Sequence, residues 1–254
     1  MAINFKRVTG LGGVNFKVPV IVPFVTQSLV VNLDASSPTS YPGTGTVWYD
    51  LSGNSNNFNI VASAYNNSGP KYMNFSGGYG IAKNGSNIPL SDSTGITYMV
   101  WTQILNNTAN WRTLTRAYNA SDDHQVIIQA GSYNLGMYDG AGGAGFVGTG
   151  YNVTSIPGYS SGWYCLYWRW QNFSPYYEFS YNDTPGTIRG SITNPNGRYQ
   201  SGFGALGGYH NGNSTPSDAS QFWGNIGQFL CYNRRLTDAE LLINYNSTKE
   251  RFGL

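Results

Sequence analysis

The stretch from Phe222 to Leu254, FWGNIGQFLCYNRRLTDAELLINYNSTKERFGL, constrains the fold most. It opens as a strand. Alternation puts Ile226, Leu230 and Tyr232 on one face with Gln228, and Phe229 and Cys231 on the other. Apolar groups on both faces predict a strand covered on two sides. Asn233-Arg234-Arg235 makes a polar break. Thr237 is then spaced to accept from the amide of Glu240, and Glu240 to reach back to the amide of Thr237, which is a capping box. Leu236 and Leu241 flank the cap as a hydrophobic staple. Lys249 and Arg251 suit a helix C-terminus, and Gly253 can end the helix. A central strand, a tight turn and one short helix therefore close the chain.

From Ser28 onward, short strand-like runs alternate with Gly, Asn, Ser and Pro turns. Leu29, Val31 and Leu33 share a face. So do Ile96, Tyr98, Val100 and Ile104, with Met99 and Trp101 opposite. Val126–Ile128, Leu135–Tyr138, Trp163–Trp170 and Tyr176–Tyr181 are further runs. The pattern predicts an all-β fold, a two-sheet antiparallel sandwich over residues 28–254, with one short C-terminal helix and no internal linker. The Gly-rich stretch Asp139–Gly150 lacks the Lys and the following helix of a phosphate-binding loop and is expected to be a surface loop. Residues 1–27 differ. They carry Lys6, Arg7 and Lys17 but no acid, and Pro19 and Pro23 hold Val14–Val25 extended. Phe16, Val18, Val20, Ile21, Val22 and Phe24 are too apolar for a disordered leader. An extended N-terminal anchoring arm fits better.

The closing block resembles the C-terminal signature of laminin-G-like, concanavalin A-like lectin/glucanase domains. The matching residues are Gly224, Ile226, Gly227, Phe229, Tyr232, Asn233, Arg234, Leu236, Thr237, Glu240, Arg251, Phe252 and Gly253. A second matching piece runs Leu29–Ala35, then Tyr41-Pro42-Gly43 and Trp48–Asn54. The chain departs from the family at Met73–Gly80, where Ser76 replaces an acid. The resemblance implies a concanavalin A-like jelly-roll sandwich of the kind found in phage virion proteins and bacterial surface proteins. It specifies fold far more than function.

Composition narrows the function. Charged residues are only 10% of the 254, and the formal net charge is +2, which gives no reason to expect nucleic acid as a partner. Pro19–Val25 is far short of the roughly 20 apolar residues that span a bilayer, so no membrane partner is expected. The start lacks an export signal, which suits a protein made in a cytoplasm and used without classical export. Cys165 and Cys231 lie in apolar runs and are expected to be buried free thiols. No metal or other cofactor is assigned. Asp122-Asp123-His124 is a thin start for a cation site and fits a solvated loop. Glycosidases on this fold carry paired acids on one strand, and Glu178 has no such neighbour. Neither His124 nor His210 lies near a nucleophile motif. The sequence therefore points away from an enzyme.

Carbohydrate binding uses aromatic faces with polar side chains, and the chain has 7 Trp and 20 Tyr. Trp48, Trp101, Trp163 and Trp168 fall in strand patterns or family motifs and are expected in the core. Trp111, Arg112, Tyr138, Asp139 and Tyr209 fall at strand ends or loops and are the candidate ligand-binding residues. The expected function is a non-enzymatic virion structural protein on the surface of a phage particle, decorating the capsid or head. The alternative is a glycan-binding adhesin of a tail fibre, baseplate or bacterial surface. The partners implied are other virion proteins through the arm, further copies of the chain in a homo-oligomer, and glycans of a host or the environment.

Overall fold

A computed structural model describes residues 3–9, 15–21, 24–77, 79–82, 87–90, 95–105, 110–117, 123–140, 142–193, 202–208 and 221–254. Two large antiparallel sheets, each of eight strands among those residues, face one another. The fold is the all-β sandwich that the sequence predicts. The first sheet centres on Ile96–Ile104, flanked by Tyr164–Trp170 on one side and Gly224–Tyr232 on the other. Leu29–Asp34 pairs next to Gly224–Tyr232. The second sheet runs Gly145–Asn152, Asn134–Asp139, Asp123–Ile128, Arg112–Arg116 and Ala205–Leu206 across to the Val47–Trp48 edge.

One large apolar core fills the space between the sheets. It takes Val31, Leu33, Tyr98, Val100, Phe229 and Cys231 from the first sheet and Phe58, Leu114, Val126, Leu135 and Met137 from the second. A smaller cluster lies on the outer face of the first sheet, where Met99, Trp101, Cys165, Tyr167, Leu230 and Tyr232 meet Leu236, Leu241, Tyr245 and Phe252 of the closing segment. Every residue of Gly224–Tyr232 is buried, because the core covers one face and the helix the other.

The closing segment behaves as its spacing predicts, with one exception. The α-helix spans Asp238–Thr248 behind a complete capping box at Thr237 and Glu240, and Gly253 ends the segment at φ 77°. Arg234 grips both carboxylate oxygens of Glu240, at 2.9 and 2.7 Å. That pair holds the Glu240 carboxyl down at about 2, with help from the Thr237 amide. The exception is Ile226, which faces the core with Phe229 rather than sharing the helix side with Leu230. Trp101 pairs with Gln228 and Thr102 with Ile226, so Gly227 is an extra residue in the ladder. Such a bulge reverses the alternation beyond it. Only glycine fits there, since a Cβ would collide with the Phe252 ring.

Other expectations resolve in the same way. Trp48, Trp101 and Trp168 are buried, and Trp163 packs half-buried against the helix-side cluster. Glu178 is buried and ion-paired with both Arg169 and Arg235. Cys165 and Cys231 are buried free thiols on opposite faces of the first sheet, one under the helix and one in the core. Asp50 accepts from the amide of Ser52, two residues on, and also from those of Asn32 and Asn56. The Gly-rich stretch is not one long loop: Gly145–Asn152 is a strand paired with Asn134–Asp139, because Phe146, Val147 and Tyr151 supply side chains between the glycines.

The N-terminal arm is extended and folds back on itself. Ile3–Thr9 pairs antiparallel with Asn15–Ile21 as a two-stranded sheet separate from the two large ones. Its last residues belong to the sandwich: Phe24 and Val25 pack against the helix-side cluster, and Val25 is held by Asn244 and Tyr232.

Candidate functional site

Along Asn134–Asp139, Leu135 and Met137 enter the core. The period of two then turns Asn134, Gly136 and Tyr138 to the outer face. Opposite them in register lie Phe146, facing Tyr138, and Gly148, facing Gly136. Val147 packs on the core, so Phe146 points outward. Trp111 reaches the same patch from the start of Arg112–Arg116. Its ring meets Tyr138 edge-on at 5.9 Å between centres and Phe146 at 5.3 Å. Two of the sequence candidates, far apart in the chain, thus come together around a third ring.

The glycines make the patch. A Cβ at Gly136 would run into the Phe146 ring, and one at Gly148 would run into Asn134. The ring therefore lies across bare backbone, as aromatic residues do over strand glycines. Trp111, Tyr138, Phe146 and Asn134 all keep partial exposure. Behind Tyr138 stands His124, its ring edge-on at 6.0 Å and its Nδ1 2.8 Å from the Thr113 hydroxyl. The result is a half-exposed aromatic shelf on the outer face of the second sheet, with the amide of Asn134 beside it. Such a surface can take the apolar face of a ring and hydrogen-bond its substituents.

The remaining candidates go elsewhere. Arg112 is buried and faces away from the shelf, its Nη1 donating to the carbonyl of Gln221. Asp139 is buried and its carboxylate accepts from the amide of Gly142. Tyr209 lies outside the described residues, as do Asp122 and His210. Asp123 and His124 are strand residues and buried, not part of a solvated loop. Asp123 stands directly opposite Asp139 on the next strand, an acid pair that no local spacing could reveal. Both carboxylates are buried rather than lining an open cleft. Among the described residues, no group of three or more His, Cys, Asp or Glu is placed to hold a metal.

Sequence reasoning missed Phe146 and Asn134. The signal was the alternation within GAGFVGTGYN, which a glycine count conceals. It also missed Trp223, whose ring lies over the Arg112 guanidinium at 5.3 Å.

No protein-family model matches the chain, and no curated protein matches it by sequence. Solved structures do match by shape. A Trypanosoma rangeli sialidase in complex with 2,3-difluorosialic acid superposes with a TM-score of 0.57 at 15% identity, over 98% of this chain and 36% of that one. The binding domain of botulinum neurotoxin serotype D/C gives 0.55 at 14% identity, over 87% and 52%. A binding domain of botulinum neurotoxin DC in complex with SialylT gives 0.56 at 13%. The chain thus spans about a third to a half of the structures it resembles. At these identities the likeness establishes the β-sandwich fold.

The comparisons correct one expectation. The sequence pointed away from an enzyme, and that expectation does not stand, because the solved structures that match this chain include sialidases. The reason lies in what the expectation rested on, local patterns alone: paired acids on one strand and a nucleophile motif near a histidine. At 15% identity over 36% of those chains, the likeness carries the fold and no activity.

Proposed function

We propose that the chain is a carbohydrate-binding β-sandwich and that its shelf of Trp111, Tyr138 and Phe146 receives the sugar. The carrying observation is that three aromatic rings converge around a glycine floor on an outward face and stay half-exposed. Burying them fully would have been the cheaper use of such residues. The names of the structural neighbours support this reading, since they include complexes with sialic acid and with SialylT. A glycan array with the full chain, followed by titration calorimetry of each hit, tests it. Trp111→Ala and Phe146→Ala should each weaken binding about tenfold, or roughly 1.4 kcal/mol. An array without hits, or hits that survive both substitutions, would sink the proposal.

A second reading is a virion protein that decorates a phage capsid and displays this sandwich. The observation that favours it is the N-terminal hairpin, which pairs with neither large sheet. An isolated two-stranded hairpin is at best marginally stable in water, so a docking partner would stabilise it. Removal of residues 1–23 should leave a folded sandwich that no longer enters particles. Unchanged incorporation of that truncated chain would count against this reading.

A further inference from the structure

Arg112 is an unusual cation among the described residues. Arg169, Arg234, Arg235 and Arg251 each have a carboxylate partner. Arg112 is more deeply buried than three of them, at 4% exposure, yet has no acid within ion-pairing distance among the described residues. Its Nη1 makes one long hydrogen bond to Gln221, at 3.3 Å. Its Nε has no hydrogen-bond partner among the described residues. Burial lowers its pKa.

Beside it stands Trp223, 37% exposed, with the guanidinium 5.3 Å from its ring centre. The Trp223 backbone has φ 42°, a left-handed conformation that a bulky residue rarely adopts. Hydrogen bonds hold it there from both sides: the Trp223 carbonyl accepts from Leu105, and the Phe222 amide donates to Gly207. Residues held in sparsely populated backbone conformations cluster at ligand sites, and here the strained residue is an exposed aromatic beside a buried cation that has no acid partner among the described residues.

We infer that Arg112 and Trp223 form an anion-accepting subsite for the carboxylate of an acidic pyranose. The planar guanidinium matches a carboxylate in charge and in fork geometry. The open indole offers a surface for the attached sugar ring. Uronic acids and nonulosonic acids share this chemistry. The inference goes beyond the shelf, because Arg112 points away from Trp111, Tyr138 and Phe146, and it survives or fails independently of them.

The test is titration calorimetry of the full chain at low salt, with trigalacturonic acid, sialyllactose, a neutral galactotriose and inorganic phosphate. At least one acidic sugar should bind tenfold or more tightly than the neutral one. Arg112→Gln should abolish that preference, and Trp223→Ala should reduce acidic-sugar affinity about tenfold. Trp111→Ala should leave the preference intact, which separates this subsite from the shelf. Equal binding of acidic and neutral sugars, no binding of either acidic sugar, or phosphate binding as tight as the sugars would each overturn the inference. If Arg112→Gln does not fold, the exposed Trp223 decides: an unchanged acidic preference in Trp223→Ala overturns the assignment.

Discussion

The outer faces of the two sheets carry similar aromatic residues and treat them in opposite ways. On the first sheet, Trp101 stacks near-parallel on two rings of the closing segment, Tyr245 at 5.4 Å and 19° and Phe252 at 4.4 Å and 11°. Its indole N–H donates to the Thr248 hydroxyl at 2.8 Å. Both the apolar ring and its polar edge are satisfied by the closing segment. On the second sheet, Trp111 meets its neighbours at steep angles, 79° to Tyr138 and 63° to Phe146, and no element covers them among the described residues. The first face spends its aromatics on stability. The second holds its aromatics in place and leaves them partly in water. Aromatic count alone cannot tell the two apart; what differs is whether a helix follows with the right spacing.

Substitutions should separate the faces by size of effect. Trp101→Ala removes a buried ring stacked on two others and a buried hydrogen bond, and should destabilise the fold by about 3–5 kcal/mol in chemical denaturation. A loss below ~1 kcal/mol would mean that the helix does not depend on that stack. Gly227→Ala forces a methyl group into Phe252 and should cost about 1–3 kcal/mol. Its companion Phe252→Ala should partly relieve that cost, which a double-mutant cycle measures.

The cap comes next. Thr237→Ala should cost ~1 kcal/mol. Glu240 has its carboxyl depressed from 4.5 to about 2, chiefly by Arg234. A carboxyl lowered in the folded state stabilises above its unfolded value, and that stabilisation fades as pH falls from about 4.5 toward 2. Stability in the Glu240→Gln variant should therefore vary less than wild type over that window, and identical pH profiles would refute the linkage. The smallest stability effect belongs to the shelf. Trp111→Ala should shift stability by less than ~1.5 kcal/mol while binding falls, the inverse of Trp101→Ala.

Much of the first face was legible in the sequence. The Thr237/Glu240 spacing, the Leu236/Leu241 pair and the two-faced strand are local patterns, and local patterns survive folding. Ile226 was misplaced because a bulge is a property of two paired strands, and Thr102 is far away in the chain. The shelf was half legible. Trp111 and Tyr138 stand out as aromatics at strand ends, but Phe146 hides among glycines. Those glycines look like a loop until register sets Gly136 against Gly148. Arg112 was marked as a rim residue, yet it points inward. Its neighbour Trp223 belongs to a distant segment, which no spacing rule connects to it. The opposed acids Asp123 and Asp139 escaped for the same reason.

The two thiols of the first sheet have a practical consequence. Cys165 is reached only by lifting the helix, whereas Cys231 is reached only by parting the layers. Burial raises both thiols well above their ordinary range, so neither reacts while closed. Alkylation followed by peptide mapping can therefore time the peeling of the C-terminal segment separately from the opening of the whole molecule, with no label engineered in.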